Sequence, residues 1–87
     1  MLEEFAGQKI VVDLRSPYVC IGTFSRADEK FIEMKNADLH DFRDTDTDRE
    51  NYVAASKATG IKRNRKRVLV MRDDVVAVSR LEDVVDE

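Results

Sequence analysis

Among 87 residues there is one cysteine, one histidine, one proline and no tryptophan. A lone Cys20 permits no internal disulfide and no thiolate metal cluster. A lone His40 removes most zinc sites and most histidine acid–base pairs, and no nucleophile motif accompanies His40 and Asp41. The three glycines, Gly7, Gly22 and Gly60, are scattered, so no glycine-rich loop exists to cradle a phosphate. No apolar run approaches the roughly 18 residues that a membrane-spanning helix needs. The opening residues, Met1-Leu2-Glu3-Glu4-Phe5, carry acids where a secretory leader carries bases and then an apolar stretch. These absences predict a cytoplasmic chain that is not an enzyme, with no cofactor, no metal, no membrane partner and no small-molecule substrate.

What the chain has in abundance is charge. Charged residues make up 38% of it and the formal net charge is −3, which excludes a general nucleic-acid coat but not a local basic patch. The charges are blocked. From Asp38 to Glu50 there are six acids (Asp38, Asp41, Asp44, Asp46, Asp48 and Glu50), and from Lys57 to Arg67 six bases (Lys57, Lys62, Arg63, Arg65, Lys66 and Arg67) with no acid. The length suits one domain over residues 1–87, and so small a core is expected to gain stability from self-association.

Hydrophobic periodicity predicts five short strands. Lys9 to Arg15 alternates, with Ile10, Val12 and Leu14 on one face and Asp13 and Arg15 on the other. Ser16-Pro17 breaks it. The second strand runs from Tyr18 to about Ala27, and its interior Gly22 marks a sharp bend or a close backbone approach. After the turn Asp28-Glu29-Lys30, a third strand runs from Phe31 to about Leu39. A charged insertion over about 40–66 contains a short helix around residues 52–58. Thr47 and Glu50 have the spacing of a capping box, and Gly60 is placed as its stop. Arg67 to Arg72 is a fourth, almost wholly apolar strand and Val75 to Leu81 the fifth, before an acidic, loose tail at 82–87. Such strands predict a strongly bent sheet whose remaining edges pair with a sister molecule. Val68, Val70, Val76 and Val78, on elements too short to be buried otherwise, are the expected interface between subunits.

Two segments carry a family resemblance. Gly22-Thr23-Phe24-Ser25-Arg26-Ala27-Asp28 resembles the first Sm motif, and Val70-Met71-Arg72-Asp73-Asp74-Val75-Val76 resembles the second, an apolar strand ending in Arg-Gly before a valine-rich strand. A short N-terminal helix over Leu2 to Ala6 fits the same pattern. The resemblance covers roughly residues 2–36 and 68–81. It implies a divergent bacterial-type member of the Sm-like (LSm) family: an all-β, small five-stranded, strongly bent SH3-like (Sm-type) barrel with a helical insertion between strands 3 and 4. Proteins of that family form rings of six or seven subunits, joined fourth strand to fifth, and bind uridine- or adenine-rich single-stranded RNA around the pore. The resemblance implies that Arg72 closes a base pocket, that Lys30 holds the stacking position, and that Asp28 holds the turn. The asparagine that reads the base edge falls at Ile32 or one residue away, and the glycine after the arginine is Asp73 or deleted. Isoleucine has no group to read a base edge, so altered base specificity is expected.

The run Lys62-Arg63-Asn64-Arg65-Lys66-Arg67 is the main candidate for phosphate contact. Its bland alternative is that it pairs with the acidic block through their shared loop. If the run enters a strand, Arg65 and Arg67 face away from Asn64 and Lys66. Asp44-Thr45-Asp46-Thr47-Asp48 has the carboxylate spacing of a calcium loop, but Arg49 and Ala55 stand where such a loop needs glycine and glutamate. Cys20, in step with Gly22 and Phe24, reads as a small buried hydrophobe. Two functions follow: a homo-oligomeric ring that binds single-stranded RNA, or an oligomeric scaffold that binds proteins through its charged insertion.

Overall fold

The apolar residues of the first strand serve two faces rather than one. In the computed structural model, which describes residues 1–85, Ile10, Val12 and Leu14 turn inward to join Cys20, Phe24, Ile32, Met34, Ala37 and Val70 in a first core. Val11 turns the other way and meets Val19, Ile21, Val53 and Leu81 in a second core. Runs of consecutive apolar residues, Ile10-Val11-Val12 and Val19-Cys20-Ile21, are what a strand covered on both faces requires.

The strands are β1 (Lys9–Leu14), β2 (Tyr18–Ala27), β3 (Phe31–Asp41), β4 (Arg65–Met71) and β5 (Val75–Arg80), with one helix, α1 (Arg49–Thr59), between β3 and β4. They form one antiparallel sheet in the order β4-β3-β2-β1-β5. Three irregularities bend it. Ile21 pairs with Asp38 and Thr23 with Lys35, so Asn36 and Ala37 together oppose the single residue Gly22, and Asn36 takes a φ of 49°. Ser25 is the extra residue between the pairs Phe24–Met34 and Arg26–Glu33. Val76 is the extra residue between Asp13–Ala77 and Leu14–Val75. Bulges increase local twist and kink a strand, and three of them curl the sheet into a five-stranded, strongly bent, barrel-like form. β4 and β5 each pair on one side only and remain as open edges.

Several boundaries differ from the expectations, for local reasons. β3 runs on to Asp41 because it pairs with β2 as far as Tyr18–Asp41, and β4 starts at Arg65 because the pairs Lys35–Arg67 and Ala37–Arg65 continue the ladder past the apolar residues. The helix is capped by Asp48 rather than by a Thr47–Glu50 box. The Asp48 carboxylate accepts from the Asn51 amide at 2.8 Å, and an anion at a helix N-terminus also meets its dipole favourably. The Thr47 amide is held instead by Thr45 Oγ1 at 3.2 Å. Gly60 ends the helix with a φ of 97°, its amide donating to the Ser56 carbonyl at 3.0 Å.

An isolated helix of this length is marginal in water, so docking decides whether α1 forms. Val53, buried against β1 and β2, contributes about 1.5–3 kcal/mol on burial. The ring of His40 stacks on that of Tyr52 at 3.8 Å, with Phe42 edge-on to both. Arg49 pairs with Asp13 of β1 at 3.7 Å. The expected N-terminal helix is a single 3₁₀ turn, Leu2–Phe5, whose Phe5 packs edge-on against Phe24. The expected loose tail starts as packed structure: Leu81 is buried in the second core, Val84 leans on it, and Lys57 Nζ donates to the Val84 carbonyl. Residues 86–87 of that tail lie outside the described residues. No described helix is long and apolar enough to cross a membrane.

A Cβ added at Gly22 would lie 2.7 Å from Ala37 Cβ and 2.9 Å from its Cα, both on a paired strand that has little room to retreat. Gly22→Ala is therefore expected to cost about 1–3 kcal/mol by overpacking, and Gly22→Val more, read as a lower urea midpoint at unchanged slope.

Candidate nucleic-acid interface

Two turns at one end of the sheet are locked together. The Asp28 carboxylate accepts from the amides of Lys30 and Phe31, each at 2.8 Å, which closes the β2–β3 turn. Those two bonds hold the Asp28 carboxyl below the ordinary aspartate range. The Arg72 amide donates to the Lys30 carbonyl at 2.8 Å, and its guanidinium donates to the Asp28 carbonyl. A third turn joins through Asp74, whose carboxylate accepts from the Ser16 hydroxyl at 2.6 Å and from the Ser16 amide at 3.2 Å. Lys30 and Arg72, which stand forty-two residues apart in sequence (72 − 30), are thereby brought side by side. The ammonium of Lys30 pairs with no carboxylate among the described residues.

Ile32 is not part of this surface. It is 1% exposed and lies in the first core. The residue beside it, Glu33, lies on the opposite face but is itself buried beneath two exposed arginines, with its carboxylate 2.6 Å from Arg67 Nε and 3.5 Å from Arg26 Nε. Hydrogen bonds from Ser25 and then Arg67 hold the Glu33 carboxyl below the ordinary glutamate range. A groove of about 380 Å³ runs here between Arg26, Asp28, Phe31, Glu33, Arg67 and Leu69. Motif spacing points to Lys30 and Arg72 but not to Arg26 and Glu33. Those two meet because the Ser25 bulge shifts the pairing by one residue, which spacing does not reveal.

The basic run straddles the start of β4. Arg67 lies opposite Lys35 and reaches Glu33, and Arg65 shares its side of the strand, with Lys66 on the alternate side. Lys62 and Arg63 precede the strand. A second groove of about 350 Å³ is lined by Asn36, Arg63, Asn64, Arg65 and Lys66. The acidic block is not the partner of this run. Asp41 takes Arg43 at 2.8 Å, and Lys62, Arg63, Arg65 and Lys66 pair with no carboxylate among the described residues. The separation follows from α1, which docks over β1 and β2 and draws the acidic loop away from β4. The link between the blocks is neutral: Asn64 Nδ2 donates to Asp38 and to the Leu39 carbonyl, and its Oδ1 accepts from the Leu39 amide, each at 3.0 Å.

The valines expected between subunits fall on two sides. Val70 is in the first core, Val68 and Val78 pack against it, and Val76 stands out on its bulge at 64% exposure. Leu69 and Met71, which carry no signal of their own in the sequence, are the exposed apolar side chains of β4.

Two outcomes are expected. Asp28 and Glu33 have depressed values in the fold, so below about pH 4 the unfolded chain binds the extra protons. Stability is then full above that range and falls below it, and urea midpoints taken from pH 6 downward should fall less steeply for Asp28→Asn. Burial, and then the charge of Asp38, push the Cys20 thiol up to about 12. Thiol reagents at mildly alkaline pH are expected to leave Cys20 unmodified in the native protein and to label it fully in denaturant.

No protein-family model and no curated protein matches the chain. Among solved structures it is similar to the Sm protein of Pyrococcus abyssii, which was solved in complex with a uridine heptamer. The two share 12% identity and superpose with a TM-score of 0.62 over 91% of this chain and 90% of the other. Strand order, bulged curvature and this superposition agree: the chain has the Sm-type fold.

Proposed function

We propose that this chain is a ring-forming Sm-like protein that holds single-stranded RNA by its phosphates, with a base preference different from that of uridine readers, and that it performs no catalysis. The observation that carries the reading is the lock between the two turns, which sets Lys30 and Arg72 side by side next to an outward row of Arg26, Lys35, Arg65 and Arg67. These are cations on three adjacent strands of a chain whose net charge is negative, so their gathering on one face supplies attraction for phosphate that the whole molecule lacks. The solved structure with the same fold holds a uridine heptamer, which supports an RNA ligand here.

Base choice is the point of departure. The position next to Ile32, on the opposite face, carries Glu33, an acceptor-only group buried beneath the two arginines that hold it. Uracil presents two carbonyl oxygens, which a carboxylate repels, on either side of one N–H donor, and the carboxylate that could accept from that donor is buried and already engaged by Arg26 and Arg67. Phosphate contact and stacking on half-buried Phe31 therefore supply the affinity, with little reward for uridine. Self-association adds a second subunit at the open β4 and β5 edges, where Leu69, Met71 and Val76 are exposed.

Fluorescence anisotropy with oligo-uridine, oligo-adenine and duplex RNA over a salt series tests the reading. Binding to single strands is expected to weaken with salt. Each phosphate contact removed should lower the salt slope by about 1, so Lys30→Glu by about 1 and Arg65→Glu with Arg67→Gln by about 2. No binding to any single strand at low salt removes the RNA reading and leaves a protein-binding scaffold.

A further inference from the structure

The two open edges of the sheet are opposite in charge. β4 is led in by Lys62 and Arg63 and itself carries Arg65, Lys66 and Arg67, whereas β5 is preceded by Asp73 and Asp74 and followed by Glu82 and Asp83. The cations at the two ends of β5 are engaged within the chain, Arg72 by the Asp28 carbonyl and Arg80 by Gln8, Glu4 and Asp83. Joining two β4 edges brings bases together and joining two β5 edges brings acids together, and like charges facing across strands oppose pairing. Joining β4 of one copy to β5 of another matches them. That contact is heterologous, so it propagates to a ring or a filament instead of stopping at a dimer.

Orientation selects the partners within that contact. Every strand pairing of this sheet is antiparallel. An antiparallel addition that sets the middle of β4 against the middle of β5 lays the segment before β4 beside the segment after β5. Lys62 and Arg63 then face Glu82 and Asp83. Parallel addition leads instead to Asp73 and Asp74, and Asp74 is already held by Ser16. Lys62 and Arg63 are exposed without a carboxylate partner among the described residues, and Glu82 is exposed without a basic one. Asp83 shares only the edge of Arg80, at 3.8 Å.

We propose that Lys62 and Arg63 are an intersubunit clamp: they pair with Glu82 and Asp83 of a second copy of this chain, docked antiparallel along the β4 edge, and are not contacts to phosphate. The proposal rests on the self-association half of the function above and not on RNA binding. Its consequence is that assembly weakens with salt even when no nucleic acid is present.

Nuclease-treated protein at micromolar concentration, followed by sedimentation velocity and native mass spectrometry, tests it. The wild type is expected to assemble and to dissociate progressively as salt is raised. Lys62→Ala with Arg63→Ala should weaken self-association roughly tenfold. Lys62→Glu with Arg63→Glu, and separately Glu82→Lys with Asp83→Lys, should weaken it further. An equimolar mixture of the two reversed variants should recover assemblies that contain both. Asp73→Lys should assemble as the wild type does. The alanine pair keeps the test decisive if a reversed variant does not fold, as judged by circular dichroism. Wild-type protein that assembles but is insensitive to these changes, or reversed variants that fail to recover on mixing, overturns the clamp and leaves the RNA reading standing. A monomeric wild type overturns both the clamp and the ring. Loss of RNA binding by the alanine pair with assembly intact overturns the clamp in favour of phosphate contact.

Discussion

Ala37 sits where a side chain on Gly22 would have to go, and the shape of the sheet follows from that close approach. With two residues of β3 opposing one of β2, the paired strands cannot stay flat, and Asn36 adopts a left-handed conformation to absorb the surplus. The curl brings β4 over the same core as β1, so that Val70 and Ile10 belong to one cluster although β3 and β2 lie between their strands. It also carries the ends of β2 and β4 close enough for Arg72 to hold the carbonyls of Asp28 and Lys30. The candidate interface is thus a consequence of curvature, and the turn residues lock a geometry that the bulges create.

The inserted helix solves a second problem that curvature leaves open. A curled sheet has an outer face, and on β1 and β2 that face is apolar: Val11, Val19 and Ile21. Val53 of α1, Leu81 and the ring of Tyr52 cover it. Docking there has an electrostatic effect as well as a packing one. Three acids near α1 have local partners: Asp41 holds Arg43, Asp48 accepts from the Asn51 amide, and Asp13 of β1 meets Arg49. Of the basic run at the start of β4, Arg67 is held by Glu33, while Lys62, Arg63, Arg65 and Lys66 have no carboxylate partner among the described residues, on the far side of the sheet order from β5. A chain of net negative charge therefore presents one basic edge and one acidic edge.

Glu33 illustrates how the same framework changes what a surface recognises. A carboxylate held between Arg26 and Arg67 is an anchor for two cations that would otherwise repel each other along the face. It organises those arginines toward solvent while withdrawing a donor from any base that approaches. Electrostatic attraction and base readout are separable in such a site, and this chain retains groups for the first more clearly than for the second.

The sequence by itself determined the strands, because period-two alternation in Lys9–Leu14 and apolar runs bounded by Ser16-Pro17, Asp28-Glu29-Lys30 and Asp73-Asp74 are local signals that each segment carries alone. It also marked Gly22 as a site of close approach and Asp28 as the holder of a turn, since glycine and aspartate act there through their own backbone neighbourhoods. The helix cap lay one residue from its expected place because Asp48 and Thr47 are both competent caps and only docking chose between them. What the tertiary structure decided was everything that depends on pairing register. A one-residue bulge changes which residues stand opposite one another, so the meeting of Glu33 with Arg26, the burial of its carboxylate beneath Arg26 and Arg67, and the inward turn of Val70 were not legible in spacing. Nor was the fate of the charge blocks, because their separation depends on where α1 packs, and that is a property of the assembled sheet.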